Sequence, residues 1–197
     1  MSNQLEIEIH GTNNFSDAER SKFRRAVNLT HKVINSEDFK QRFLSLPLEQ
    51  TNGMSPAQIY ELFKSGKDKF NKESDNDIDV YITMYYSWKK TIGYTYPSTW
   101  YTWINRKFFS RFDEAEIAGN IIHEYFHNLG FGHLRASDHN SVPYAVGYLV
   151  RQMVREILEG TTPDNSPTPS TPGKKVLVCY RPWKYLKLRK VCYWKNK

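Results

Sequence analysis

Three histidines and one glutamate lie close together between residues 123 and 133. They form the pattern H-E-x-x-H-x-x-G-x-x-H, whose fixed positions are His123, Glu124, His127, Gly130 and His133. On a helix, His123 and His127 project from one face, one turn apart, so two imidazole nitrogens can share a metal ion. A glycine can adopt the left-handed backbone that ends a helix, and the resulting turn would return His133 as a third ligand.

Three neutral imidazoles with an open fourth position form a site that suits catalytic Zn²⁺. Zinc lowers the pKa of water towards 7, and Glu124 can take the water's proton during attack on a carbonyl carbon and pass it to the leaving amine. Five fixed positions match by chance about once in 10⁵ chains of this length. We therefore expect one zinc ion, with His123, His127 and His133 as metal ligands and Glu124 as catalytic base.

Two other interpretations of the pattern stay open. The histidines could be hydrogen-bonded residues of an amphipathic helix, or they could hold a zinc ion in a site that has no catalytic activity. Glu124 favours catalysis, because a purely structural zinc site does not need it.

The flanking segments predict the elements that must position this pattern. Residues 5–10 and 78–84 alternate apolar and polar residues as half-buried strands do, and residues 91–107 resemble an edge strand pair. Ser110 or Asp113 opens the helix that carries the histidines. A last helix is expected over roughly residues 144–158.

Helix-start signals lie between the first two predicted strands. Ser16 with Glu19 forms a capping box, a second helix begins near Ser36, and residues 55–58 begin a third with proline at the first helical position. The resulting order, β-α-α-α-β-β-α-loop-α, predicts an α+β domain.

The eleven-residue pattern resembles that of the metzincins, a clan of zinc-dependent endopeptidases. This resemblance implies a metzincin-like zincin fold, in which a twisted mixed sheet with an edge strand and an active-site helix borders a shallow cleft. It implies that a peptide or protein substrate lies extended and antiparallel to the edge strand, near residues 91–97. It also implies zinc bound by His123, His127 and His133, with Glu124 as general base. The resemblance covers residues 1–159, although only the motif is specific.

The chain departs from the metzincin pattern below the metal. Metzincins carry a methionine in a tight turn after the third histidine, but the only methionine downstream here is Met153, in a segment that reads as helix. Residues 141–144 look more like the site of that turn, with Pro143 in place of methionine. Either Met153 takes the place of that methionine from a helix, or other side chains form the apolar surface below the metal.

Two residues after the motif are further candidates. We expect His139 to be a loop residue near the site; the alternative is that it binds the metal or contacts the substrate. We expect Tyr144 to be a side chain of the core or of the cleft wall. The alternative, by resemblance to some metzincins, is that it hydrogen-bonds the oxyanion formed during the reaction. We assign no role to His10 or His31.

Composition divides the chain into three parts. We expect a metallopeptidase domain at 1–159, a Pro/Ser/Thr-rich linker at 160–173 and a basic, aromatic module at 174–197. The module carries nine basic and no acidic residues of a chain with net charge +7, which leaves 19 basic and 21 acidic residues elsewhere. The basic balance therefore belongs to the module, which could bind an anionic polymer or surface; a solvated tail is the alternative.

Cys179 and Cys192 lie in two β-like runs of this module, which predicts a hairpin with a cross-strand disulfide or two reduced thiols. We expect a monomer without a transmembrane segment. The disulfide-capable tail favours a secreted or periplasmic location, whereas the lack of a visible signal peptide leaves a cytoplasmic one open. A rival function is a non-catalytic, zinc-stabilised binding module that acts through the basic tail.

Overall fold

The computed structural model describes residues 4–67, 75–89, 91–95, 101–135 and 138–160 with their side chains, and the backbone of 175–180 and 191–196. The chain forms two compact units, Met1–Thr161 and Thr162–Lys197. The larger unit is an α+β domain built on a four-stranded mixed sheet.

The sheet of the larger unit contains β1 (Glu6–Asn13), β2 (Asp77–Tyr85), β3 (Gly93–Thr95) and β4 (Tyr101–Asn105) in the order β1-β2-β4-β3. β1 and β4 each run parallel to β2, whereas β3 runs antiparallel to β4 and forms an edge of the sheet. The expectation of an edge strand pair within residues 91–107 is therefore confirmed.

Four of the helices begin where the capping signals predict. Ser16, Ser55 and Asp113 each form a capping box, and Ser36 caps its helix through its hydroxyl. Asp113, not Ser110, opens the helix that carries the histidines. The helices are α1 (Asp17–Ile34), α2 (Glu37–Leu44), α3 (Pro56–Lys64), α4 (Arg106–Phe109), α5 (Glu114–Asn128) and α6 (Val142–Leu158).

The start of α6 differs from the sequence-based expectation. The segment expected to be a tight turn, residues 141–144, is the N-cap and first turn of α6, so the helix begins at Val142 rather than near Tyr144. Pro143 is compatible with a first helical turn, because the backbone N–H groups there have no intrahelical partner.

Helices α5 and α6 approach each other closely at a pair of glycines. A Cβ on Gly119 would lie 2.6 Å from the carbonyl oxygen of Gly147, and a Cβ on Gly147 would lie 2.8 Å from that of Gly119. Only glycine allows the two backbones to come this near. Because Gly119 lies one helical turn before His123, the contact fixes α6 against the part of α5 that carries the first histidine.

Other sides of α5 face the sheet and an aromatic core. A cavity between α5 and the sheet is lined from β2 and β4 by Ile78, Val80, Ile82 and Ile104, among others, and from the helix by residues that include Glu124. Stacked and edge-on rings from α2, α3 and α5 form the core on another side of the helix, namely Phe39, Phe43, Phe63, Tyr125 and Phe126. Buried contacts therefore hold α5 from several directions.

The smaller unit contains an antiparallel hairpin of β5 (Lys175–Tyr180) and β6 (Val191–Asn196), in which Cys179 lies opposite Cys192. The predicted hairpin is confirmed, but the two sulfur atoms lie outside the described part of the structure. Residues 161–174, most of the predicted linker, also lie outside it. Within the described residues, no helix is long and apolar enough to cross a membrane.

Candidate metal centre

The three histidines of the sequence motif come together at the end of α5. The Nε2 atoms of His123 and His127 lie 3.2 Å apart, and one nitrogen from each of His123, His127 and His133 lies within 4.8 Å of the others. The ring of His133 has its centroid 5.3 Å from that of His123 and 5.0 Å from that of His127. The arrangement is a three-nitrogen donor set that could hold a divalent transition-metal ion.

The turn after α5 returns the chain towards the first two histidines. Gly130 has φ of +90°, its N–H donates to the carbonyl of His127, and the N–H of Phe131 donates to the carbonyl of Phe126. These two bonds form a Schellman motif, and the rings of Phe126 and Phe131 pack 5.9 Å apart beside it. The expected left-handed glycine is confirmed, and it places His133 three residues later beside the helix.

Backbone carbonyls orient two of the rings. The Nδ1 of His127 lies 2.8 Å from the carbonyl oxygen of Phe131, and His123 hydrogen-bonds the backbone of Pro143. Since a carbonyl only accepts, and proline has no N–H, each histidine must donate. In His127 this leaves the Nε2 lone pair directed at the neighbouring ring nitrogens, as a metal ligand requires.

Burial keeps the first and third rings neutral. Desolvation lowers the pKa of His123 well below its usual value, and the nearby His127 and His133 lower it further. Desolvation also lowers the pKa of His133, against a smaller opposing effect of Asp138. Neutral imidazoles at pH 7 have lone pairs ready for a cation.

Glu124 lies beside the histidines and is only 8% exposed. Its Oε2 accepts a hydrogen bond of 2.8 Å from the hydroxyl of Thr95, at the end of the edge strand β3. Burial raises the pKa of the Glu124 carboxyl, while His127 and the Thr95 hydrogen bond act in the opposite direction. The carboxylate is also near enough to Tyr144 to contribute to the raised pKa of that phenol, which burial dominates.

Residues 50–52 hydrogen-bond the loop that carries His133. Asp138 accepts hydrogen bonds at its Oδ2 from the backbone N–H groups of Leu134 and Arg135 and from the amide of Gln50. The amide of Asn52 donates to the carbonyl of Gly130. The third histidine therefore depends on a segment about 80 residues earlier in the chain.

The other candidates take different positions. Tyr144 packs its ring 4.5 Å from that of His123 and 4.6 Å from that of His133, so it forms part of the site wall, and a hydrogen bond to an oxyanion stays a prediction. His139 lies outside the cluster of three and pairs through Nδ1 with the hydroxyl of Tyr148 at 3.3 Å.

Met153 is buried in α6. It lies ten residues beyond Pro143, or about 15 Å along the helix. The element in contact with His123 is therefore the first turn of α6, with Pro143 and Tyr144, and not the methionine.

A second group of ligand-type side chains lies on the sheet, on β1 and β2. One atom from each of Glu8, His10 and Asp79 lies within 4.8 Å of the others, but the residues are more exposed than the histidine cluster. His10 Nε2 hydrogen-bonds Asp79 and lies 3.4 Å from Glu8 Oε2, and its ring stacks 4.7 Å from Tyr81.

Sequence reasoning missed several residues that support the site. Thr95 carried no motif, and the contributions of Pro143 and Phe131 come from carbonyl groups that every residue has. The asparagine at position 52 indicates a loop, and in the structure it takes a positive φ. The sequence does not indicate which residues that loop contacts.

Comparison with known proteins finds no matching family model, no matching curated protein and no matching solved structure. The geometry of the site therefore carries the functional conclusion.

Proposed function

We propose that the chain is a zinc-dependent metalloendopeptidase of the metzincin type. The observation that carries the proposal is the convergence of the ring nitrogens of His123, His127 and His133 with a buried carboxylate, Glu124, beside them. A purely structural metal site would not need that carboxylate, and burying it is costly.

The donor set fits zinc in both chemistry and spacing. Zn²⁺ binds neutral imidazole nitrogens at about 2.0–2.1 Å, so two ligands of a tetrahedral ion are about 3.3 Å apart. The Nε2 atoms of His123 and His127 are 3.2 Å apart. The carbonyls that receive the other ring N–H of such ligands are a usual feature of zinc sites, and Phe131 and Pro143 supply them here.

When bound, zinc supplies Lewis acidity, which polarises a substrate carbonyl and makes water more acidic. The chain's own residues perform the proton transfers. Glu124 accepts a proton from the attacking water on the oxygen that Thr95 does not occupy, and later donates it to the leaving amine. The edge strand β3 offers backbone groups to an extended peptide, the β-strand addition that the metzincin resemblance implies.

Glu124→Gln tests the proposal most directly. The variant keeps the three nitrogen ligands but cannot hold the proton, so we expect about one zinc per chain by elemental analysis and a loss of peptidase activity of about 10²–10⁴-fold. Glu114→Gln is the matched control, because Glu114 lies on the same helix and pairs with Arg25. Activity is measured on a peptide library with and without a zinc chelator.

The possible outcomes separate the two functions considered from the sequence. Full activity of Glu124→Gln, or wild-type cleavage that survives zinc removal, contradicts the proposed mechanism. A wild-type protein that holds zinc but cleaves no peptide favours the non-catalytic binding module. Binding of the isolated wild-type chain to anionic vesicles or polymers, compared with a variant lacking residues 161–197, then tests the role of the basic tail.

A further inference from the structure

We infer that Thr95 is a positioning residue that couples the edge of the sheet to the general base. The inference rests on the proposed function, since it concerns how Glu124 is held for catalysis. Thr95 acts through the carboxylate of Glu124, to which its hydroxyl donates at 2.8 Å.

The direction of the hydrogen bonds follows from counting protons. An ionised carboxylate only accepts, so the single hydroxyl proton of Thr95 goes to Oε2 of Glu124. The hydroxyl of Thr102 lies 2.9 Å from that of Thr95. Since Thr95 has already used its proton, Thr102 must donate to it. The chain Thr102 to Thr95 to Glu124 therefore fixes one carboxylate oxygen and leaves Oε1 for the water.

The ladder between β3 and β4 shows where the backbone of Thr95 points. The N–H of Asn105 donates to the carbonyl of Ile92, which makes these two residues a hydrogen-bonded pair of an antiparallel ladder. Such pairs alternate with non-hydrogen-bonded pairs, so Thr95, which lies opposite Thr102, belongs to the second kind. Its N–H and C=O point away from β4, towards the edge that β3 forms in the described part of the sheet.

Thr95 therefore joins two parts of the site. Its backbone groups lie on the edge where an added peptide strand would pair, and its side chain holds the carboxylate of Glu124. A peptide paired with this residue would fix the edge strand and, through the hydroxyl, the orientation of the base. Removing the hydroxyl should reduce turnover more than substrate binding, because the backbone groups that pair with the peptide remain.

Three variants test this coupling in the zinc-loaded protein. Thr95→Val is nearly isosteric and removes the hydroxyl, and we expect kcat to fall by about 10–100-fold, the usual cost of losing a residue that orients a site group. KM should change by less than about twofold, because uniform binding is retained. Thr95→Ser keeps the hydroxyl and should restore most of kcat. Thr83→Val is the control, since Thr83 pairs opposite Trp103 and its side chain lies on the other face of the sheet.

A second measurement needs neither metal nor activity. In zinc-free protein, the urea midpoints of Thr95→Val, Glu124→Ala and the double variant form a cycle that reports direct contact. We expect Thr95→Val to shift the midpoint clearly less in the Glu124→Ala background than in the wild-type background. Thr83→Val combined with Glu124→Ala should give additive shifts.

The results separate this inference from the proposed function. Additive shifts for Thr95→Val and Glu124→Ala, a kcat for Thr95→Val equal to that of Thr83→Val, or a Thr95→Ser variant as slow as Thr95→Val each overturn the role of Thr95 alone. A wild-type protein without zinc-dependent cleavage overturns the proposed function, whatever the cycle shows.

Discussion

Two clusters of ligand-type side chains in this molecule have a similar spacing and different surroundings. In each, one atom from each of three residues lies within 4.8 Å of the others. In the first, the nitrogen of His127 that faces away from the cluster donates to a carbonyl, so the inward nitrogen keeps its lone pair. In the second, the ring of His10 is engaged by the carboxylates of Asp79 and Glu8 inside the cluster itself.

The difference shows that spacing alone does not define a metal centre. The histidine cluster is oriented from outside by the carbonyls of Phe131 and Pro143, and burial keeps His123 and His133 neutral. In the sheet cluster the ring nitrogen of His10 already contacts the carboxylates of Asp79 and Glu8, and the cluster is more open to water. A hydrogen-bond partner outside the cluster leaves the lone pairs of the ligand atoms available to a cation, whereas a partner inside the cluster occupies those ligand atoms.

Paired alanine variants give the largest expected contrast between the clusters. His127→Ala removes one of three nitrogen ligands, so we expect loss of the bound zinc and of cleavage, a larger effect than the about 10–100-fold cost of losing an outer partner. His10→Ala should keep about one zinc per chain and its activity, because that ring lies outside the histidine cluster and contacts Asp79 and Glu8. Elemental analysis and competition with a chelator measure both. If the two variants lose zinc equally, the distinction between the clusters is wrong.

Helix packing beside the histidine cluster gives the next effect. In Gly119→Ala the new Cβ would lie 2.6 Å from the carbonyl oxygen of Gly147 and 2.9 Å from Cβ of Arg151, so α5 and α6 must separate. We expect the free energy of unfolding to fall by about 1–3 kcal/mol, with weaker zinc binding because His123 lies one turn further along.

Gly132→Ala is the control for this packing test. It lies in the loop between Gly130 and His133, and its Cβ would meet no atom within 4 Å. Urea unfolding of the zinc-free proteins should show a change of about 0.5 kcal/mol or less for this control. Equal effects of Gly119→Ala and Gly132→Ala would mean that the close approach of α5 and α6 does not stabilise the site.

The parts of the site that depend on local rules were predictable from the sequence. Helix capping at Ser110 or Asp113, of which Asp113 is the cap, the helical spacing of His123 and His127, and the left-handed turn at Gly130 each involve residues within a few positions of one another. For such features the local chemistry largely determines the backbone.

The parts that depend on distant contacts were not predictable. Asn52 reaches the carbonyl of Gly130 across 78 residues, and Thr95 reaches Glu124 across 29. The first turn of α6 was expected to be a metzincin-like turn, but Pro143 is equally compatible with the start of a helix, and in the structure the backbone of that helical turn accepts a hydrogen bond from His123. One sequence does not show which distant polar groups will meet.

The smallest expected effect concerns Asp77, a carboxylate that interacts with the sheet cluster. Burial and the nearby carboxylates of Asp75, Asp79 and Glu8 raise the pKa of Asp77 to about 6, from 3.8. The folded protein therefore binds this proton more tightly than the unfolded chain does. The resulting stability is fully present below about pH 4 and is lost as the pH rises through about 6.

Asp77→Asn tests both the direction of this pH dependence of stability and the contrast between the two clusters. At pH 7.5 the variant removes a charge that the fold disfavours, so we expect its free energy of unfolding to exceed the wild-type value by about 1 kcal/mol, after allowance for solvent screening. At pH 4 the gain should vanish, since Asp77 is then protonated in the folded wild type. Urea unfolding with and without Ca²⁺ measures both effects. A gain that is equal at both pH values contradicts the raised pKa of Asp77, and a gain that Ca²⁺ abolishes means that the sheet cluster binds a cation.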